Sequence, residues 1–162
     1  MIIHVKNKNT LIIDNFSFKC CVGKNGLISN KKEGDQSKTK GFFGLKKLYF
    51  RKDRVVFPEC KIEKKVIKKN MAWCDDPKSK KYNEEIKTNN KRDKEILYRD
   101  DHKYDYIISI SHNENKTPNK GSAIFIHLTK NYKATAGCIA LKKKDFEILL
   151  KLIDKKTKIK IG

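Results

Sequence analysis

A histidine and a cysteine lie close together near the C-terminus, in the segment GSAIFIHLTKNYKATAGCIAL at residues 121–141. His127 belongs to an apolar, strand-like run, and Cys138 belongs to a turn of small residues. A thiol beside an imidazole can act as a nucleophile near neutral pH. The pair suggests a cysteine enzyme, although buried cysteines and core histidines are common, and such a pairing does not identify a family.

The strand predicted over residues 122–128 must hold the histidine. Its two faces carry Ala123, Phe125 and His127 on one side and Ile124, Ile126 and Leu128 on the other. A strand that is apolar on both faces lies in the middle of a sheet. We therefore expect His127 to point from the sheet into a site at the strand's end. The small residues Ala136 and Gly137 let the backbone approach closely at Cys138.

Alternating apolar residues predict strands through most of the chain. The predicted strands cover residues 1–5, 10–14, 16–22, 42–57, 106–110 and 157–162, and Pro58 ends the fourth. In the third, the period of two places Cys20 in the core and leaves Cys21 exposed. An amphipathic helix is predicted where Phe146, Leu149, Leu150 and Ile153 recur at helical spacing. We expect a mainly β fold with few helices, in one domain over residues 1–162.

The polar segment around residues 73–83 contains further candidate site residues. It is predicted as an ordered loop, in which Asp76 and the following proline favour a turn. Asp75 and Asp76 are candidates for contacts with an amino group of a substrate, or for supports of the site. Turn residues and helix caps are the more common role of such aspartates.

The most polar part of the chain, residues 84–99, is predicted as a surface insertion over the site. Its end, residues 95–99, could form a helical turn. His102 and His112 flank the predicted strand at residues 106–110 in polar company. Both are expected at the surface and not in catalysis.

The formal net charge of +20 is the strongest compositional feature. The charge is almost entirely lysine and is spread along the chain, whereas phosphate and base recognition favours the arginine fork. We therefore expect a basic surface that faces an anionic polymer or membrane, and no nucleic-acid binding. The five cysteines form no CxxC pair and no zinc-type spacing, so no metal site and no cofactor are expected.

The sequence also shows no apolar segment of the length of a signal peptide or of a membrane helix. As written, it predicts a soluble, unprocessed chain with no membrane span.

Several stretches resemble, in the same order, blocks of the L,D-transpeptidase catalytic domain family (YkuD type), and within it a short, divergent bacterial branch. GSAIFIHL followed by TAGCIAL resembles the catalytic segment of that family. Four upstream stretches resemble other blocks of the family, namely FKCCVGKNGLISNKKEGD, LKKLYFRKDR, WCDDPKSKKYN and LYRDDHKYDYII. The resemblance runs from about Phe16 to the C-terminus. It implies a mixed β-sandwich or barrel-like sheet, with the amphipathic helix and a final strand at the end.

The resemblance implies Cys138 as nucleophile and His127 as general base and acid, acting on peptidoglycan stem tetrapeptides. Cys138 would attack the carbonyl between the third and fourth residues and release D-Ala. The backbone N–H groups of Gly137 and Cys138 are the natural oxyanion donors. An amine acceptor would complete an L,D-transpeptidase reaction, whereas water would make the chain an L,D-carboxypeptidase. A non-enzymatic basic binding module stays open as a third alternative.

The chain departs from the family's Ser-His-Gly-Cys-(Ile/Val)-Arg motif where Ala136 replaces the histidine and Ala140 the arginine. Both side chains help to bind or orient substrate in the wider family, so the resemblance implies an intact nucleophile with different substrate contacts. It also implies a backbone carbonyl as the group that orients His127. Asp105 is the alternative, and with Asp75 and Asp76 it is a candidate substrate contact.

The resemblance implies a location in the cell envelope or periplasm, whereas the lack of a visible signal peptide favours the cytoplasm. The acceptor and the oligomeric state stay open.

Overall fold

The computed structural model describes residues 1–90 and 94–162. Within these ranges the chain forms fourteen strands and one helix. In chain order they are β1 (Ile2–Lys6), β2 (Thr10–Ile13), β3 (Phe16–Cys21), β4 (Leu27–Ile28), β5 (Lys38–Thr39), β6 (Gly41–Phe50), β7 (Glu63–Val66), β8 (Met71–Cys74), β9 (Glu85–Lys87), β10 (Lys94–Ile96), β11 (Tyr106–Ile110), β12 (Phe125–Leu128), β13 (Ile139–Leu141), α1 (Lys143–Leu152) and β14 (Lys158–Ile161).

The largest sheet closes on itself. Its strand order is β11-β12-β13-β3-β2-β1-β14-β6-β7, and β11 also pairs with β6, which joins the two sides into an eight-stranded barrel-like sheet with β7 added to β6. A second sheet has the order β10-β8-β9, and β4 pairs with β5. The mainly β prediction is confirmed, including the C-terminal helix followed by a final strand.

Two apolar clusters hold these elements together. The first joins the strands of the closed sheet with α1, whose Phe146 stacks on Tyr106 with ring centroids 5.3 Å apart. The second lies between the closed sheet and the three-stranded sheet, and Cys138 belongs to it together with Tyr104 and Phe125. The predicted split of the faces of β12 is confirmed, because Phe125 packs in the second cluster and Ile126 in the first.

The strand predicted over residues 42–57 is shorter than expected, because β6 ends at Phe50. Arg51 turns the chain there. Its guanidinium makes a two-point ion pair with Asp53, at 2.8 and 2.7 Å, and its carbonyl accepts two backbone N–H groups of the turn that follows. Pro58 therefore lies well beyond the strand and does not end it.

The helical turn predicted over residues 95–99 is wrong. The chain forms β10 there, because Glu95 pairs with Trp73 in the second sheet. Trp73, predicted in a loop, accordingly lies in β8. The polar segment predicted as an insertion, residues 84–99, includes β9 and β10, and its residues 91–93 lie outside the described part of the chain.

Two residues predicted at the surface are buried. Cys21 is only 7 % exposed, because the loop between β12 and β13 covers it, and its thiol donates to the carbonyl of Lys133 at 3.2 Å. His112 is 8 % exposed, and its Nε2 lies 2.8 Å from the carbonyl oxygen of Lys120. A loop remote in sequence covers Cys21, and a local turn covers His112.

Candidate active site

A cavity of about 450 Å³ lies beside β12 and β13. Residues from the segment before β5, from the second sheet, and from the loops around β12 and β13 line it. His127 and Cys138, the two residues predicted to react, both belong to the lining. The structure therefore brings the histidine and the cysteine to one cavity.

The register of β12 and β13 places these two side chains on one face. The strands pair in parallel, with His127 opposite Ala140. Opposed residues of neighbouring strands point to the same face, and the face alternates along each strand. Cys138 precedes Ala140 by two positions, so its thiol projects on the side of the imidazole.

The ring of His127 is held by a backbone carbonyl. Its Nδ1 lies 2.8 Å from the carbonyl oxygen of Leu128, which can only accept a hydrogen bond, so Nδ1 carries the proton. The ring of Tyr104 packs edge-on against the imidazole, with centroids 5.2 Å apart. In the neutral ring, Nε2 is then the unprotonated nitrogen, and the residue can act as a base.

His127 is strongly biased towards its neutral form. Burial lowers the pKa of His127 to about 4, although the bond to the carbonyl of Leu128 opposes this shift. The cations Lys103 and Arg99 lower the same pKa further. At neutral pH the imidazole is therefore uncharged and can accept a proton.

The turn that carries Cys138 is tied together by Thr135. The threonine hydroxyl donates to the carbonyl of Cys138 at 2.6 Å and accepts the N–H of Gly137 at 3.2 Å. The thiol of Cys138 donates to the carbonyl of Ala123 at 3.3 Å. Ala123 has a left-handed backbone, with φ of 51°. This conformation accounts for the late start of β12 relative to the strand predicted over residues 122–128.

Gly137 is required by space as well as by conformation. Its φ is 140°, and a Cβ built there would lie 2.8 Å from the carbonyl oxygen of Ser37 and 3.3 Å from Nζ of Lys31. The N–H that the sequence predicts as an oxyanion donor is bonded to the Thr135 hydroxyl in this structure.

The segment that packs on Gly137 is stiffened by a buried ion pair. Nζ of Lys31 contacts the carboxylate of Asp35 at 2.7 Å and the carbonyl of Ser37 at 2.9 Å. Burial alone would raise the pKa of Asp35, but hydrogen bonds from Lys31 and from Lys32 and Ser37 hold it well below its usual range. The lysine thereby fixes a wall of the cavity.

The three predicted aspartates lie in different surroundings. Asp75 lines the cavity. Asp76 accepts the backbone N–H of Lys78 at 2.9 Å and forms a turn. Asp105 pairs with Arg54 at 3.2 Å. Of these three, in the part of the chain that the structure describes, only Asp75 lines the cavity, and the orienting contact of His127 is the backbone carbonyl and not Asp105.

Sequence reasoning missed a hydrogen-bonded group on the cavity wall. The carboxylate of Glu33 accepts the hydroxyls of Tyr82 and Ser122, the latter at 2.9 Å. Nearby, Tyr104 donates to Glu95 at 2.7 Å. These residues come from separate segments, and no local motif signals that they meet.

Comparison with protein-family models matches residues 2–161 to the L,D-transpeptidase catalytic domain, YkuD. The closed sheet, the Cys–His cavity and this match over nearly the whole length agree, so the chain belongs to that family. Neither the curated proteins nor the solved structures contain a significant match.

The described residues contain neither a metal-binding cluster nor a membrane-spanning helix. No group of three or more histidine, cysteine, aspartate or glutamate side chains there could hold a metal ion. No helix in those ranges is long and apolar enough to cross a membrane.

Proposed function

We propose that this chain is a cysteine-dependent L,D-transpeptidase that acts on peptidoglycan stem tetrapeptides in the cell envelope. The observation that carries the proposal is the parallel pairing of β12 and β13, which puts Cys138 and His127 on one face of the same cavity. Family membership supplies the substrate class.

The first half of the proposed reaction forms a thioester. Nε2 of His127 accepts the thiol proton while Sγ of Cys138 bonds to the carbonyl carbon between the third and fourth residues of the stem. The tetrahedral intermediate collapses by breaking the C–N bond, and His127 returns the proton to the departing amine of D-Ala. The acyl group remains on Cys138.

The second half transfers the acyl group. His127 takes a proton from an acceptor amine, which attacks the thioester carbonyl, and the proton then returns to the sulfur as the C–S bond breaks. The products are a crosslinked peptide and the free thiol. Water in place of the amine would give a tripeptide, which is the carboxypeptidase outcome.

The low pKa of His127 favours a neutral resting pair over a thiolate–imidazolium pair. The imidazole then removes the thiol proton only as Sγ attacks. The thiol's resting bond to the carbonyl of Ala123 must break at the same time.

The oxyanion is assigned to the backbone N–H groups of Gly137 and Cys138. In the resting structure the N–H of Gly137 bonds to the hydroxyl of Thr135 at 3.2 Å, which is long for such a bond. A substrate oxygen that gains negative charge is a stronger acceptor than a hydroxyl and would take over this N–H.

The test is mass spectrometry of the protein and its products after mixing with a disaccharide-tetrapeptide. We expect an acyl adduct on Cys138, release of D-Ala and crosslinked dimer with the wild type, and none of these with Cys138→Ala or His127→Ala. Cys60→Ala is the matched control, because burial raises the pKa of Cys60 and this residue does not line the cavity.

Each outcome has a definite meaning. Release of D-Ala with tripeptide alone would replace the transpeptidase by a carboxypeptidase. Full activity in Cys138→Ala would refute the mechanism. If the wild type gave neither adduct nor product, the chain would be a binding module.

A further inference from the structure

The site contains a row of three residues across neighbouring strands. His127 of β12 lies opposite Ala140 of β13, and Ala140 lies opposite Cys21 of β3. Residues opposed in this way share a face of the sheet, so the small methyl group of Ala140 lies between a ring and a thiol. Ala140 also lines the cavity. A methyl group fills less of the cavity at this position than the arginine of the family motif would.

Lys103 lies beside this row. Its carbonyl accepts the N–H of Leu128 at 3.0 Å, and its side chain lines the cavity. Its positive charge acts on both neighbours of Ala140: it adds to the burial that lowers the pKa of His127, and it opposes the burial that raises the pKa of Cys21. Because Lys103, His127 and Ala140 line the same cavity, a ligand bound beside Ala140 lies on the side of the sheet that this lysine faces.

Lys103 differs from Lys31 and Arg99, the other buried or half-buried cations of the cavity. Lys31 is paired with Asp35, and Arg99 makes a two-point ion pair with Asp101. Lys103, which is half-buried, makes no ion pair among residues 1–90 and 94–162, although its backbone N–H donates to Asp101. A partly desolvated cation of this kind gains most from an anionic ligand.

We propose that Lys103 binds a carboxylate of the donor stem peptide above Ala140. The inference rests on the proposed function and goes beyond it by naming a specificity-determining residue. Two positions along a strand span about 6.6 Å. A carboxylate about one residue from the scissile carbonyl at Cys138 therefore reaches the space above Ala140.

Two carboxylates of the substrate meet this requirement. One is the C-terminal carboxylate of the leaving D-Ala, and the other belongs to the side chain of a diamino acid at the third position. The chemistry at Lys103 is the same for both, so the experiment must separate them.

The test compares the wild type with Lys103→Met on three peptides: the free tetrapeptide, its C-terminal amide, and the amide of the third-residue side-chain carboxylate. On the free peptide we expect Lys103→Met to raise KM about tenfold, because a charge-assisted hydrogen bond is lost, with kcat changed less than about twofold. On the amide that removes the partner carboxylate, the two proteins should have equal KM. Lys103→Arg should restore most of the binding.

The matched control is Lys24→Met, which removes an exposed lysine that lies near the site, where its N–H bonds to the carbonyl of Thr135, but does not line the cavity. It should change KM less than about twofold. A loss in Lys103→Met that is the same on all three peptides, or no loss at all, would overturn the inference. If Lys103→Met does not fold, as judged by circular dichroism, Lys103→Gln on the same peptides decides the question.

Failure of the proposed function is a separate result. If the wild type releases no D-Ala from any of the peptides, both proposals fall. If the wild type is active and only the dependence on amidation is missing, the assignment of Lys103 falls alone.

Discussion

Acid should destabilise this fold through His127, because burial holds the pKa of its imidazole low in the folded chain. The pKa of His127 in the folded chain is about 4, against an ordinary value of 6.5. Between these two pH values the unfolded chain binds a proton that the folded chain does not. The stability is therefore undiminished above about pH 6.5 and falls as the pH drops towards 4. The full difference is roughly 3.4 kcal/mol, and about 2.5 kcal/mol is lost by pH 4.5.

Urea denaturation at pH 7.5 and pH 4.5 measures this loss, with His127→Gln as the comparison. Other groups titrate in both proteins, so the difference between the two proteins isolates His127. We expect the wild type to lose about 2.5 kcal/mol more than His127→Gln. Cys138→Ala is the control, because it retains the histidine and should lose as much as the wild type.

A difference below about 0.5 kcal/mol between the wild type and His127→Gln would show that the imidazole is not held neutral by burial. The same pKa predicts the acid limb of the activity profile. Because Nε2 must be unprotonated to act as a base, kcat/KM should stay high down to about pH 5 and fall as His127 becomes protonated.

Three substitutions test the supports of the site. Gly137→Ala should abolish turnover and lower stability by more than about 1 kcal/mol, because its Cβ meets the carbonyl of Ser37; a normal melting temperature would contradict this. Thr135→Val should cost about 1–2 kcal/mol in urea and reduce the rate, since both turn bonds are lost. Cys20→Ala should cost about 1 kcal/mol in the same assay and leave kcat/KM unchanged, because Cys20 packs in the first cluster; reduced turnover would contradict the structural role.

The sequence pattern was sufficient to predict the elements that bury a regularly spaced set of side chains. Alternation in the sequence located β11 and both faces of β12, and the helical spacing of Phe146 and Leu149 located α1. Closure of the sheet by the pairing of β11 with β6 was beyond these patterns, since it joins segments far apart in the chain. The same limit explains the error at Cys21, because a strand's own pattern does not show which distant loop covers its outer face.

The residues of the candidate site also differ in whether the sequence could predict them. His127 and Cys138 could be selected from one segment and its family resemblance, because His127 lies on β12 and Cys138 directly precedes β13, and these two strands are neighbours in sequence and in space. The cluster of Glu33, Tyr82 and Ser122 has no such signal. Its members meet only after the second sheet has packed on the first, so three-dimensional contact is the information that the sequence lacks.

The pairing of β12 with β13 holds His127 in the closed sheet, whereas much of the rest of the cavity wall belongs to loops. The base His127 lies in the hydrogen-bonded ladder of β12 with β13, and the proposed nucleophile Cys138 directly precedes the first residue of β13, Ile139. The remaining walls, from the segment at residues 31–37 to the loop at residues 129–136, lie outside that ladder. A substitution in those walls, such as Ala136 for the motif histidine, leaves the pairing of β12 with β13 unchanged, whereas Ala140, in place of the motif arginine, lies within that ladder opposite His127.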